Sequence, residues 1–170
     1  MRTLLLTPLI LALLAGAALA DDDDGDGDKR GRYGGEDRGR VLQPAKLNPI
    51  WAQECGACHL AFGPGLLPAE SWRRLMAGLD QHFDTDATLT AKENQDVTAF
   101  LVANASNRWT ASGAPLRITE TQWFKSKHRA KEVSPAVWKR PSVKSPANCL
   151  ACHPGADKSD FNEHSIKIPQ

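Results

Sequence analysis

Apolar positions recur at helical intervals in three stretches of the chain, and turn-forming residues separate them. Between Ser71 and Phe83, Trp72, Leu75, Met76, Leu79 and Phe83 share one helix face, with Ser71 placed to cap it and His82 three residues beyond Leu79 on the same side. Thr90 followed three residues later by Glu93 reads as a capping box, and Val97, Phe100 and Leu101 form the stripe of the helix behind it. A short helix is expected over "TQWFKSKHRAK", starting near Thr121, with Phe124 and His128 together on its apolar side. Asn48-Pro49 and Ser145-Pro146 each pair a capping residue with a proline suited to a first helical position, so helices are expected to begin there too. The run "FGPGLLP" cannot be helical, and "SNRWTASGAPLRI", with Gly113 and Pro115, reads as a linker. The expected class is all-α, in two small parts.

Both ends of the pattern change the picture. The chain opens with Arg2, an apolar run from Leu4 to Leu14, and small residues ending Ala18-Leu19-Ala20, which is a cleavable signal peptide over 1–20. The mature chain is then expected to start near Asp21, in the periplasm, without membrane insertion. Residues 21–40 hold eight acids, five bases, six glycines and one tyrosine, so they have nothing to bury and read as a disordered tail. Its aspartates lack the spaced pattern of a calcium loop.

The remaining 41–170 are enough for one compact domain or two very small ones. With the whole chain at +1, the leader at +1 and the tail at −3, this body carries +3, and nothing in that balance calls for nucleic acid. Five Trp, five Phe and one Tyr with few long apolar runs make a thin core, which something besides side chains has to fill.

The chain has four cysteines, and all of them fall in two runs, "CGACH" at 55–59 and "CLACH" at 149–153. Disulfides, zinc or thiol exchange would account for C-x-x-C pairs but not for a histidine fused to each. The C-x-x-C-H run is the attachment signature of c-type haem: Cys55 and Cys58, and Cys149 and Cys152, would form thioethers to the porphyrin, with His59 and His153 on the irons. Helical spacing lets all three side chains of a run address one porphyrin. Two covalent haems also supply the missing apolar core. The helix after Thr90 is expected to pack on the first haem or on the His82 helix.

Each iron has a second face, and what fills it separates carriage from catalysis. Once Met1 leaves with the signal, Met76 is the only methionine, so two His/Met centres are impossible. His82, His128 and His164 remain. His82 is the candidate for the first iron, with Met76 as competitor, and His128 for the second, with His164 in the polar stretch "DFNEHSIKIP" as reserve. The simplest pairing joins His59 with His82 and His153 with His128, each close in sequence, while crossed pairing stays open. A carbonyl in 62–68, that of Pro64 for example, is placed to accept the His59 ring N–H.

Read together, "NPIWAQECGACHLAFGPGLLPAESWRRLMAGLDQHF", "RITETQWFKSKHR" and "SPANCLACHPGADKSDF" resemble the bacterial periplasmic dihaem cytochrome c family over nearly all of 48–169. The resemblance implies a cytochrome-c-like N-terminal domain and a smaller helical C-terminal domain, placed here at 41–110 and 111–170. It implies His59 and His153 as proximal ligands and His82 and His128 as distal ones. It further implies a low-potential electron carrier whose partner is a small oxygen-binding monohaem cytochrome c. The tail at 21–40 has no counterpart in that pattern.

Two six-coordinate haems leave no iron position for a substrate, so the expected function is electron transfer, and two imidazoles favour a lower potential than His/Met ligation. Residues 125–144 carry seven bases and one acid, a segment suited to steering an acidic redox partner, or simply a solvated face balancing the haem propionates. The alternative is a small dihaem enzyme of peroxidase or reductase type, or a gas sensor, in which one iron stays open or its ligand is displaceable.

Overall fold

The computed structural model describes Pro44 and residues 46–106 and 114–170. The expected signal peptide and tail lie outside the described residues, as does most of the expected linker. Among the described residues there are four α-helices: α1 Pro49–Gly56, α2 Ala69–Ala77, α3 Ala91–Ala103 and α4 Gln122–Lys127. Short 3-10 turns lie between them, and four more follow α4 among the described residues. Among the described residues there is no strand, only an isolated bridge between His82 and Thr85. No described helix is long and apolar enough to cross a membrane.

Local sequence explains each helix. Asn48 Oδ1 accepts from Trp51 N at 3.0 Å and Pro49 fills the first turn, so α1 begins as expected. Thr90 and Glu93 form the reciprocal capping box of α3, with Thr90 N donating to Glu93 Oε2 at 3.0 Å and Glu93 N to Thr90 Oγ1 at 3.3 Å. Thr121 caps α4 through Phe124 N at 3.1 Å. Ser71, expected as a cap, instead sits inside α2: Pro68 is the capping residue and Ser71 is fully buried.

Two expected helices are shorter than their patterns. The period around His82 predicts one helix, but α2 stops at Ala77, Gly78 ends it, and the 3-10 turn Leu79–Gln81 delivers His82 at its end. Glycine there removes the preference for continuing the α-helix. No α-helix follows Ser145-Pro146 either: the second motif is a 3-10 turn, Cys149–Ala151, after Asn148. Pro154 leaves too few residues for α-helical bonds to accumulate beyond the motif. The run at 62–68 contains one 3-10 turn, Pro64–Leu66, and no α-helix.

α2 and α3 pack against one another over the main core, Trp51, Leu67, Trp72, Met76, Val97 and Leu101. Val97 and Leu101 are fully enclosed, and each contributes about 1.5–3 kcal/mol by leaving water. Asn94 Nδ2 donates to Met76 O at 2.9 Å across the two helices, and Trp51 of α1 meets Phe100 of α3 at 5.4 Å between ring centroids. Ile118, at the end of the linker stretch, packs onto this same core. The later part has few buried aliphatics, chiefly Val137, Val143 and Ala156, and its centre is a ring cluster of Phe124, Trp138, His128, His153 and Phe161.

Candidate haem sites

The first site is assembled from the end of α1 and the turn after α2. Cys55 lies in the last turn of α1, which closes at Gly56, so Cys58 and His59 follow outside the helix rather than on its face. The His59 ring lies 6.2 Å from that of His82 between centroids, with the planes 24° apart. Phe62 and Phe83 flank the pair, Phe62 at 5.2 Å from His59 and Phe83 at 4.8 Å from His82. His59 Nδ1 is 2.7 Å from Leu60 O, the geometry of an N–H donating to that carbonyl. The expected Pro64 carbonyl is taken by Trp72, whose Nε1–H donates to it at 2.8 Å. Such a bond leaves Nε2 as the nitrogen free to bind a metal.

The second site repeats the spacing with different parts. His128 ends α4 and His153 follows the 3-10 turn of the second motif. Their centroids are again 6.2 Å apart, but the planes are 72° to each other. Here the ring outside the motif is the hydrogen-bonded one: His128 Nδ1 lies 3.0 Å from Phe124 O, and the Phe124 ring stacks on it at 4.0 Å and 15°. Trp138 at 5.9 Å from His128 and Phe161 at 5.3 Å from His153 complete the enclosure. The C-terminal segment straps over this motif, with Lys167 N donating to Cys152 O at 2.9 Å and Lys127 pairing with Glu163 at 2.7 Å.

Of the candidate ligands, Met76 is buried in the main core, where its thioether packs rather than faces either histidine pair. His164 is exposed in the 3-10 turn Glu163–Ser165. Among the described residues no three His, Cys, Asp or Glu side chains gather into a protein-only metal cluster. The imidazoles come in twos.

Electrostatics agree with that arrangement. His82 is held below its ordinary pKa by burial first, then by His59 and Arg117. Burial likewise lowers His153, with His128 adding to it, and lowers His128 against the opposing hydrogen bond to Phe124. Neutral imidazole is the form that binds a metal. All four cysteines are free of disulfides, and burial pushes the Cys55 and Cys149 thiols up to about 11. A thiol-exchange pair needs its nucleophile shifted the other way, so these thiols are poor redox dithiols.

What sequence reasoning missed is the set of groups around the rings. The Leu60 carbonyl, Phe62, Trp138 and Phe161 carry no motif, and only proximity in the fold reveals them.

The folded chain is thus a small helical protein organised around two attachment runs, each with a second imidazole opposite its histidine. The family described as dihaem cytochrome c matches residues 51–161, and the chain belongs to that family. Solved relatives agree. A dihaem cytochrome c from Rhodobacter sphaeroides is 42% identical with a TM-score of 0.62, covering 68% of this chain and 97% of its own. A crystal structure of the protein purified from the same organism is 46% identical with a TM-score of 0.61, covering 68% and 98%. A dihaem cytochrome from Shewanella baltica OS155 is 34% identical with a TM-score of 0.64, covering 72% and 93%. No curated protein matches the chain.

Membership implies two c-type haems and places the chain among electron-transfer proteins. The residues fit the group: both runs have their thiols free, and each motif histidine faces another imidazole across a gap wide enough for a metal. Cys55, Cys58, Cys149 and Cys152 would hold the porphyrins. The haem supplies one-electron change of valence at iron.

Proposed function

We propose that the protein carries electrons in the periplasm on two six-coordinate haems, the first iron held by His59 and His82 and the second by His153 and His128. The observation that carries this reading is the common 6.2 Å separation of the two ring pairs. A metal–imidazole bond of about 2 Å on each side, plus the distance from each nitrogen to its ring centre, spans about 6 Å. Two different local structures arrive at the same distance, which ordinary packing of aromatic rings does not require. The difference in ring angle does not disturb this, because two axial imidazoles turn independently about their common axis.

With two imidazoles per iron, the reading includes potentials below those of His/Met centres. It divides the body into haem-bearing halves at 41–110 and 111–170, and it rests export on the apolar leader at 1–20. The protein's share of the work is to keep the imidazoles neutral, hold their rings in place and exclude other ligands from the iron.

The partner in this proposal is a redox protein with an acidic docking face, such as a small monohaem cytochrome c, with a separate donor upstream. Lys125, Arg129, Lys131, Lys139 and Lys144 are exposed on the segment that carries His128. Such a face acts mainly on association rate and weakens steeply with salt.

Spectra of the reduced protein with and without carbon monoxide test the reading. Two low-spin haems and no adduct are expected. His82→Ala and His128→Ala should each create one high-spin haem that takes the gas, while His164→Ala should change nothing. An adduct at either iron of the parent protein would replace the carrier by the dihaem enzyme or sensor.

A further inference from the structure

The two sites differ in how their rings are held. Each has one imidazole anchored through Nδ1, His59 on Leu60 O and His128 on Phe124 O. The other Nδ1 of each pair, on His82 and on His153, is buried without a protein hydrogen-bond partner. Packing must therefore set the rotation of the His82 ring, and the group packed on it is Phe83. That phenylalanine is unusual: its φ is 52°, and Asp84 after it has φ 71°, both in the left-handed region. Aspartate tolerates that region, but a bulky aromatic seldom does, and such a backbone persists only when its surroundings hold it.

What holds it comes from the end of the linker stretch. The Arg117 guanidinium lies 3.9 Å from the Phe83 ring centroid, on the ring face. Its neighbours are themselves fixed to the first half: Arg74 Nη1 donates to Ala114 O at 2.9 Å, and Ile118 packs on the main core. Glu120 touches Arg117 only at 4.0 Å, so the guanidinium stays available to the ring. An incidental surface contact would explain the stacking but not the left-handed Phe83 beneath it or the unanchored His82 beside that.

We propose that Arg117 is a positioning residue for the first haem site, pinning Phe83 against His82 so that the ligand ring keeps its orientation, and placing a positive charge beside that ligand. The inference rests on His82 being a ligand. Its two effects are separable. The guanidinium over the ring face fixes the ring angle, and the charge favours the reduced iron, which carries one positive charge fewer than the oxidised form. It makes the end of the linker stretch part of the first site rather than of the second.

Redox titration and low-temperature EPR of the ferric, two-haem protein test it. In Arg117→Leu, one haem should become harder to reduce, its reduction equilibrium constant falling about three- to tenfold, as expected for a partly screened charge, while the other keeps its value; tenfold equals 59 mV for one electron. The low-spin signal of one centre should shift with it. Arg117→Lys should restore the potential and leave the signal shifted, because a lysine keeps the charge without the planar stack. If Arg117→Leu yields no folded holoprotein, Arg117→Lys and Phe83→Leu decide instead, a shifted signal at one centre supporting the proposal. Unmoved signals and potentials overturn it, and so does an equal fall at both haems, which reports only net charge. A carbon monoxide adduct in the parent protein would retire the ligand assignment beneath the proposal. A parent free of adduct with unmoved variants retires the role of Arg117 alone.

Discussion

Replacing Trp72 by Phe tests the joint between the two sides of the first site. Trp72 sits in α2, whose continuation presents His82, and its indole N–H reaches back 2.8 Å to the Pro64 carbonyl in the loop that follows His59. Phenylalanine fills most of the same space but has no donor. The carbonyl then keeps only the long 3.5 Å bond from Leu67 N in an enclosed position, since Pro64 is among the fully buried residues, and losing the shorter bond costs about 1–3 kcal/mol. The missing volume of the smaller ring adds about 1 kcal/mol. The sum, about 2–4 kcal/mol, corresponds to a fall in Tm on the order of 10 °C for a body of this size. Urea unfolding followed at the haem absorbance, with the slope of the transition unchanged, measures it. A loss under about 0.5 kcal/mol would mean that the bond contributes nothing, and that the loop and α2 are positioned independently.

Three further outcomes follow from single features. Thr90→Ala removes the threonine half of the capping box of α3, the Oγ1 that accepts from Glu93 N, and should cost about 1 kcal/mol in the same assay, with no change in the haem spectrum. Ser71→Ala should be neutral or stabilising by up to about 1 kcal/mol, because the buried hydroxyl has no protein partner and alanine is the better helix former; a clear loss would show that the hydroxyl is bonded after all. Burial depresses His82, His128 and His153 in the folded chain, and an iron bound there would withhold the same imidazoles from protons, so the unfolded chain binds more protons as the histidines titrate. Their contribution to stability is complete above the unfolded histidine pKa of about 6.5 and is lost as the pH falls through the lower folded values. Urea midpoints should therefore hold level between about pH 7 and 9 and decline below about 6.5, and a rise on acidification would contradict this.

The capping boxes and helix stripes were readable because each is a contact between residues three or four apart. Asn48, Thr90 and Thr121 cap as their sequences say. Helix ends were less readable. Gly78 cuts the His82 pattern one turn early, and the second motif closes as a 3-10 turn although the cap and proline before it resemble those before the first. Both departures reflect competition between local propensity and the demand that a histidine reach a particular point in space. The anchoring carbonyls were the least readable, because any carbonyl near a motif is chemically equivalent in sequence. The sequence pointed to the run 62–68 and to Pro64 within it, but the Trp72 indole takes that carbonyl and Leu60, outside the run, meets His59.

The asymmetry between the two ring pairs would give irons held there different surroundings despite identical ligand types. In the first, the hydrogen-bonded ring belongs to the motif, at Leu60 O; in the second, it belongs to the opposing residue, at Phe124 O. A bond donated from Nδ1–H makes an imidazole more basic and fixes its rotation. Each iron would therefore have one stiff, electron-rich ligand and one whose angle depends on neighbouring rings. The planes end 24° apart in the first pair and 72° in the second. Ring angle, ring basicity and nearby charge all bear on the energy of the metal electron. A chain that hands one electron at a time between two centres gains direction only if those centres differ. Motifs that differ only at Gly56 and Leu150 supply little of that difference, so it would come from what surrounds them: an arginine over a phenylalanine at one, and a phenylalanine laid flat on the histidine at the other.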